Sequence, residues 1–297
     1  MSDWHVDGLM VRRHALTVNP LRSSYKEWRR CGAPRELRTK ERVRHHVFLL
    51  RELVKRDFQG RYAGSLLGFV WSLVQPLWLI ALFTFVFSTV MKVTLLGERT
   101  ENFSIFLFGG LLPWTALHEG VLRSSTAITD NASLVKKLRF PAEILVLAVV
   151  LAALLHQAIA AAVFVGVLVS VGEFSVRGLP LLLVAVPLQV GLTLGLGLLV
   201  ATVHVFFRDT AQLLAMLFQV WFYLTPIVYP LGLVPERFRP WLALNPLTSL
   251  VDLYRRAFLG GEAEGPGALP LAVAVFVILF AGLWLFRSLK PAFVDEI

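Results

Sequence analysis

Seven histidines and a single cysteine are the natural candidates for metal or nucleophilic chemistry in this chain, and their spacing offers neither. His45 and His46 are adjacent, and His118, His156 and His204 are scattered, with no His-Glu-x-x-His and no Cys/His cluster, so no metal site is implied. Cys31 has no partner for an intramolecular disulfide and no metal or redox motif around it, so it reads as an inert thiol. A phosphate-cradling Gly-x-x-x-x-Gly-Lys-Ser/Thr is absent, so the polypeptide does not hydrolyse nucleotide through a P-loop of its own. An enzyme working at a membrane interface would need clustered carboxylates or histidines there, and the acidic pairings Asp209 beside Arg208 and Asp252 near Arg255 read as ion pairs instead. His156 and Gln157 interrupt an uncharged apolar run, where polar groups are costly and often functional. No carboxylate stands at helical spacing from them, which points to an interhelical hydrogen bond rather than a proton relay.

The elements that must position these residues are apolar spans. Of 297 residues 56% are hydrophobic and 16% charged, against about 25% charged in a soluble domain, which makes this a polytopic membrane protein. Apolar runs long enough to cross a bilayer, for which about 20 residues suffice, and uncharged apart from Glu119 in the second, predict six spans at 66–90, 103–122, 144–171, 179–207, 211–229 and 269–286. An even number puts both termini on one side. The first 46 residues are polar and basic, without an apolar run suited to a secretory signal, so that side is expected to be the cytosol. With that orientation 22 of the 29 Lys and Arg fall inside, and leaving out Arg12 to Arg44 still gives 11 against 7. The basic balance, net charge +9, thus follows the positive-inside pattern instead of marking a nucleic-acid binder. The fold expected is all-α, N-in and C-in.

Around the spans the chain divides into a cytosolic extension over 1–42 with turn formers at Asn19-Pro20, Gly32 and Pro34, an interface segment over 43–65, a transmembrane domain over 66–290 and a short tail over 291–297. In the interface segment Val47, Leu50, Val54 and Phe58 keep near-helical spacing while Arg51, Lys55 and Arg56 take other positions, which describes an amphipathic helix at the membrane surface or one packed on a neighbour. Between the second and third spans, residues 130–140 offer Asp130 or Asn131 as a helix cap. Lys136, Lys137 and Arg139 suit its C-terminal end, Pro141 starts the next element, and Leu134, Leu138 and Phe140 form an apolar side. This short helix projects at the cytosolic face, toward either a partner or the bilayer surface. In the fourth span Gly191, Gly195 and Gly197 allow close helix approach and Pro187 is expected to kink the helix. The outer loop over 231–267, broken by Pro235, Pro240 and Pro246, contains segments at 239–244 and 247–259 too short to cross; they suit re-entrant or interfacial helices that could gate a pathway.

Taken together, several of these stretches resemble the membrane subunit of ABC-2-type polysaccharide exporters. The run Arg56-Asp57-Phe58-Gln59-Gly60-Arg61-Tyr62-Ala63-Gly64-Ser65-Leu66-Leu67-Gly68, then Trp71 and Gln75-Pro76-Leu77, looks like the family's membrane entry, and Asn131 to Pro141 like its coupling-helix region. Phe206-Phe207-Arg208-Asp209 and Thr225-Pro226-Ile227-Val228-Tyr229 resemble its fourth-to-fifth connection and fifth span, and Asn245-Pro246 with Arg255 its outer loop. These pieces stand in the family's order over about 49–261; the extension before Arg42 lies outside the pattern.

The resemblance implies a transport subunit and not an enzyme. Two copies would form a channel in a bacterial inner membrane, driven by two separate ATPase subunits that hold the ATP and Mg, and this chain would carry no cofactor. Asn131, Leu134, Lys136, Lys137, Leu138, Arg139 and Phe140 would dock the ATPase. The cargo implied is a lipid-linked polysaccharide such as an undecaprenyl-pyrophosphate-linked O-antigen. Its headgroup would meet Arg56, Arg61, Tyr62 and the turn ending at Gly68, since Arg binds phosphate in bidentate fashion; anchoring to anionic lipid is the other use of these cations. Sugar rings stack on aromatic faces, which makes Trp71, Trp78, Phe218, Trp221, Phe222 and Tyr223 candidates for the channel lining, against an ordinary lipid-facing role. Rival readings are an ABC-2 exporter of smaller lipo-oligosaccharides or drugs and, in another class, an integral membrane glycan-modifying enzyme.

Overall fold

The computed structural model describes residues 35–60, 70–91, 100–137, 141–261 and 265–296, and every regular element in them is helical. In chain order these are α1 (Arg35–Gly60), α2 (Trp71–Phe83) running into a π-helical turn (Thr84–Val90), α3 (Phe103–Thr126), α4 (Ala132–Lys137), α5 (Glu143–Val171), a 3-10 turn (Val176–Leu181) leading into α6 (Leu182–Phe206), and α7 (Thr210–Tyr223). The helices α8 (Arg239–Ala243) and α9 (Pro246–Leu259), in the loop expected to lie outside, follow, then α10 (Ala268–Leu289) and α11 (Phe293–Glu296). Residues 1–47 and 48–297 form two compact units; of the first, the described part is the start of α1.

Four helical segments, Phe103–Thr126, Glu143–Val171, Val176–Phe206 and Ala268–Ala292, are long and apolar enough to cross a membrane, while Trp71–Phe87 and Thr210–Tyr223 are shorter apolar helices. The second, third, fourth and sixth expected spans therefore match helices to within a few residues. Residues 66–69 of the first lie outside the described residues. The fifth differs: α7 stops at Tyr223, and the six residues expected to complete the span form turns instead. Pro226 has no N–H to continue the ladder, Thr225 turns its hydroxyl back onto the Trp221 carbonyl at 2.9 Å, and the Ile227 N–H bonds the Thr225 carbonyl at 2.7 Å. A 14-residue helix is about 21 Å long, short of a hydrocarbon core of about 30 Å.

At the centre stands α3, with seventeen of its 24 residues buried between α5, α6, α9 and α7. Asn102 starts it, its side chain accepting from the Ser104 N–H at 3.0 Å. Helices α6 and α10 pack backbone to backbone, and glycine is the reason. A Cβ on Gly195 would lie 2.8 Å from the Leu279 backbone, and one on Gly282 would lie 2.4 Å from the Gly195 carbonyl oxygen. The small-residue spacing in the fourth span thus serves helix packing, as its sequence suggests, and α6 is continuous through Pro187.

One apolar core fills the middle of the bundle around Phe106, Leu117, Phe164, Leu192 and Phe258. A second, built from Ile128, Leu145, Val146, Leu198, Val205, Phe286 and Phe293, closes one end, where α3, α6 and α10 finish and α5 begins. Helix α1 begins at Arg35, eight residues before the segment boundary expected at residue 43, in keeping with the good helix formers Arg35-Glu36-Leu37-Arg38. Leu49, Leu50, Leu53, Val54, Asp57 and Phe58 are its half-buried side, and Leu53 packs against the second core. Val47, expected on that apolar stripe, is exposed.

Candidate functional site

The end of the bundle closed by the second core gathers the cations that the sequence assigns to the inside. On α1, Arg56 donates to the Asn131 side-chain oxygen at 2.8 Å, and the next residue, Asp57, pairs with Arg123 near the end of α3. Arg123 also lies 3.6 Å from Glu119, and Glu143 at the start of α5 receives Lys290 at 3.0 Å and Arg287 at 3.7 Å from the end of α10. Asn131 occupies the position just before α4, as expected of a cap, but its side chain is otherwise engaged. Its backbone carbonyl takes the Leu134 and Val135 N–H groups, its amide donates to the Ala127 carbonyl at 2.9 Å, and its oxygen holds Arg56. Val135 packs against the second core, Leu134 is half-buried, and Lys136 is exposed. The backbone of Lys137 ends α4, and Leu138, Arg139 and Phe140 lie outside the described residues. The described helix is thus six residues long against the ten or so expected, and it is tied to α1 by the Arg56–Asn131 bond.

Of the residues expected at a substrate headgroup, Arg61, Tyr62 and Gly68 lie outside the described residues. Arg56 is exposed and lines a shallow recess of about 310 Å3 with Glu52, Lys55, Gln59 and Gly60. A guanidinium has five N–H donors, so the bond to Asn131 leaves others for an anion in that recess.

The six aromatics expected along a channel divide in two. Trp71 and Trp78, two turns apart on one side of α2, and Tyr223 at the end of α7 are exposed at 46%, 68% and 65%. Phe218 is 1% exposed and belongs to the subunit's own core, which corrects its assignment to a channel surface: an apolar periodicity cannot say which side of a short helix meets its neighbour. It lies 5.5 Å edge-on from Trp114 and 5.0 Å from His118, whose ring stacks on Trp114. Trp221 and Phe222 are half-buried in the same cluster, 6.3 Å and 5.4 Å from Trp114. The rest of α7 is open: Leu213, Met216, Leu217 and Val220 form an exposed apolar stripe at helical spacing.

Next to the aromatic cluster, at Pro113 of α3, lies a polar cluster that local spacing announced only in part. Gln157 and Gln189 exchange amide hydrogen bonds of 2.8 Å and 3.2 Å, which is the interhelical bond expected of Gln157. Gln189 also donates to the Pro113 carbonyl at 3.2 Å and accepts from the Tyr254 hydroxyl, so α3, α5, α6 and α9 meet at one buried amide. The outer-loop helices themselves occur where expected, at Arg239–Ala243 and Pro246–Leu259. Helix α9 is buried along most of its length.

Comparison with known proteins agrees with this geometry. Residues 49–259 match the family model of the ABC-2 type transporter. An O-antigen export system permease protein RfbA from Myxococcus xanthus is 33% identical over 254 residues, covering 84% of this chain and 95% of that relative. One from Klebsiella pneumoniae is 30% identical over 83% of this chain and 94% of its own length. The polysialic acid transport protein KpsM of Escherichia coli is 26% identical, over 82% and 94%.

Proposed function

The chain belongs to the ABC-2 type transporter family, and from that premise we propose that it is the membrane permease of an ATP-driven exporter of a lipid-linked polysaccharide. Two copies form the pathway across the bacterial inner membrane, each with six spans and both termini in the cytosol, and two separate ATPase subunits drive it. The observation that carries the reading is the basic end of the bundle, where α1, α4 and the ends of α3, α5 and α10 are joined by Arg56–Asn131, Asp57–Arg123 and Glu143–Lys290. An ATPase seated on α4 would push on a braced lever instead of a free loop. The relatives named for O-antigen and polysialic acid support a glycan as cargo.

In this reading Leu134 and Lys136 are offered to the ATPase with Asn131 bracing them from behind, and the docking role extends to Lys137, Leu138, Arg139 and Phe140. A pyrophosphate headgroup enters beside α1, where Arg56 supplies charge-assisted donors, and the same recognition role is proposed for Arg61, Tyr62 and Gly68. Trp71, Trp78 and Tyr223 present ring faces on which pyranoses stack, while Phe218, Trp221 and Phe222 stiffen the wall from inside the subunit. The open apolar stripe of α7 meets the second copy.

The test places Leu134→Glu and Leu138→Glu, together, in a strain whose own copy is deleted. Export of the surface glycan is expected to fall while the protein still inserts and the ATPase still hydrolyses ATP. Unchanged export would sink the docking role, and a wild-type chain that restores no surface glycan would sink the cargo.

A further inference from the structure

The early end of α7 creates a problem that α9 solves. A helix leaves its last four carbonyls without intrahelical donors, and a helix that stops at membrane depth cannot hand them to water. The carbonyls of α7's own last turn are met from within the segment, by the Leu224 and Thr225 N–H groups and the Thr225 and Tyr229 hydroxyls, whereas those of the turn that follows, at residues 224, 226 and 227, take their donors from two side chains of the outer loop. Asn245, the cap of α9, gives its amide to the Leu224 carbonyl at 3.3 Å and to the Thr225 hydroxyl at 2.9 Å. Its oxygen accepts from the Trp221 indole at 3.0 Å and from the Leu247 N–H at 3.1 Å. Ten residues on, Arg255 donates to the Pro226 and Ile227 carbonyls at 2.9 Å and 2.8 Å, and to the Phe106 carbonyl of α3 at 3.2 Å. Its guanidinium lies 3.5 Å above the Phe106 ring and is 5% exposed. Space for it is made on α3 by Gly109 and Gly110: a Cβ on Gly110 would lie 2.9 Å from the Arg255 Nη2.

A buried guanidinium is expensive unless its donors are used, and a lysine here would serve one carbonyl as a point charge where arginine spans three. Two polar side chains from the start and the last turns of one helix thus converge on a single short stretch of another segment, Trp221 and residues 224–227. We propose that Asn245 and Arg255 are positioning residues that lock the broken end of α7 to α9, so that the two are displaced as one block during transport. The lock fixes the direction of the Trp221 indole and, through the last turn of α7, the place of Phe222 and Tyr223 beside the cargo. In its use of transport this rests on the permease reading above; the lock itself does not depend on what is carried.

A disulfide in place of the lock tests it. In a chain whose Cys31 is replaced by Ser, Thr225→Cys with Asn245→Cys removes the side-chain hydrogen bond and allows a covalent bond at the same place. Reduced, this pair gives up the four hydrogen bonds of the Asn245 side chain and the Thr225 hydroxyl bond to Trp221, and it is expected to export at least about fivefold less than wild type. Oxidised in the membrane, it is expected to recover to within about twofold, because a block loses nothing by being cross-linked. A disulfide that forms and stops export, or a reduced pair that exports like wild type, overturns the proposal; so does a pair that does not cross-link. If the wild type moves no glycan, which counts against the permease reading alone, partner-coupled ATP hydrolysis by the reduced and oxidised forms in the same membranes is read by the same criteria. Asn245→Asp keeps an oxygen for Trp221 and Leu247, removes the donors to Leu224 and Thr225, and sets a carboxylate oxygen against the Leu224 carbonyl in their place. It is expected to insert normally and still lose export about fivefold, and full export by this variant overturns the lock independently of the cysteine pair.

Discussion

Replacing Gln189 by Met removes four hydrogen bonds at one stroke while keeping the side-chain volume. The bonds lost are two to Gln157, one to the Pro113 carbonyl and one from the Tyr254 hydroxyl, all at a residue with 0% exposure. Interhelical hydrogen bonds in membranes average about 0.6 kcal/mol each, so the bonds alone account for about 2.4 kcal/mol. The groups left behind raise this, since an orphaned buried donor or acceptor costs about 1–3 kcal/mol, and both ends of the Gln157 amide and the Tyr254 hydroxyl are stranded. The expected destabilisation is about 2–5 kcal/mol, a fall of roughly 5–15 °C in the thermal midpoint of the detergent-solubilised protein at a fixed scan rate. Burial keeps the Tyr254 phenol well above its ordinary pKa, so it remains a donor throughout the usable pH range and the loss is independent of pH. The decisive arm is a cycle. Tyr254→Phe destabilises the wild-type chain by about 1 kcal/mol but is neutral or stabilising on the Gln189→Met background, because there it removes an orphan instead of a partner. Equal effects of Tyr254→Phe on both backgrounds would refute the idea that the four helices are held through Gln189.

Contacts elsewhere in the bundle give three further expected outcomes. Gly195→Ala places a methyl 2.8 Å from the Leu279 backbone and forces α6 and α10 apart, costing about 1–3 kcal/mol in the same thermal assay; an unchanged midpoint would mean the pair is not packed through its glycines. Asp57→Lys opposes Arg123 with a like charge and lowers export, and Asp57→Lys with Arg123→Asp recovers part of it with a coupling of about 1 kcal/mol; no recovery in the swapped pair argues against the brace. Arg56→Ala frees Asn131 and removes an anion donor together, and it is expected to lower glycan-stimulated ATP hydrolysis more than basal hydrolysis. Equal loss of both leaves Arg56 as a brace only.

The long apolar helices were legible because helices that meet lipid and helices that meet the core must alike be apolar, so α3, α5, α6 and α10 stand out as runs with few charges whose ends fall at charges and caps: Asn102, Glu143, Arg208, Arg287. The same uniformity hid the end of α7. Residues 224–229 are as apolar as the helix before them, and the break is decided by Pro226, by the Thr225 hydroxyl and by donors that arrive from Asn245 and Arg255, 20 to 29 residues further on. Partners at such distances are invisible to a period of 3.6, which is also why Gln157 announced a hydrogen bond without naming Gln189, and why Arg123 counted as an inside cation without naming Asp57, 66 residues away. The aromatics show the complementary limit, since Phe218 and Tyr223 lie on the same 14-residue helix, one at 1% and the other at 65% exposure. The difference between them is made by Trp114 and His118 on α3, whose rings occupy the space on one side only. A membrane helix is therefore specified twice, once by composition, which any reader of the chain can see, and once by a few polar and glycine positions whose partners lie elsewhere. In this chain the second set, Gln189, Gly195, Asn245 and Arg255, places the candidate wall relative to the helices behind it.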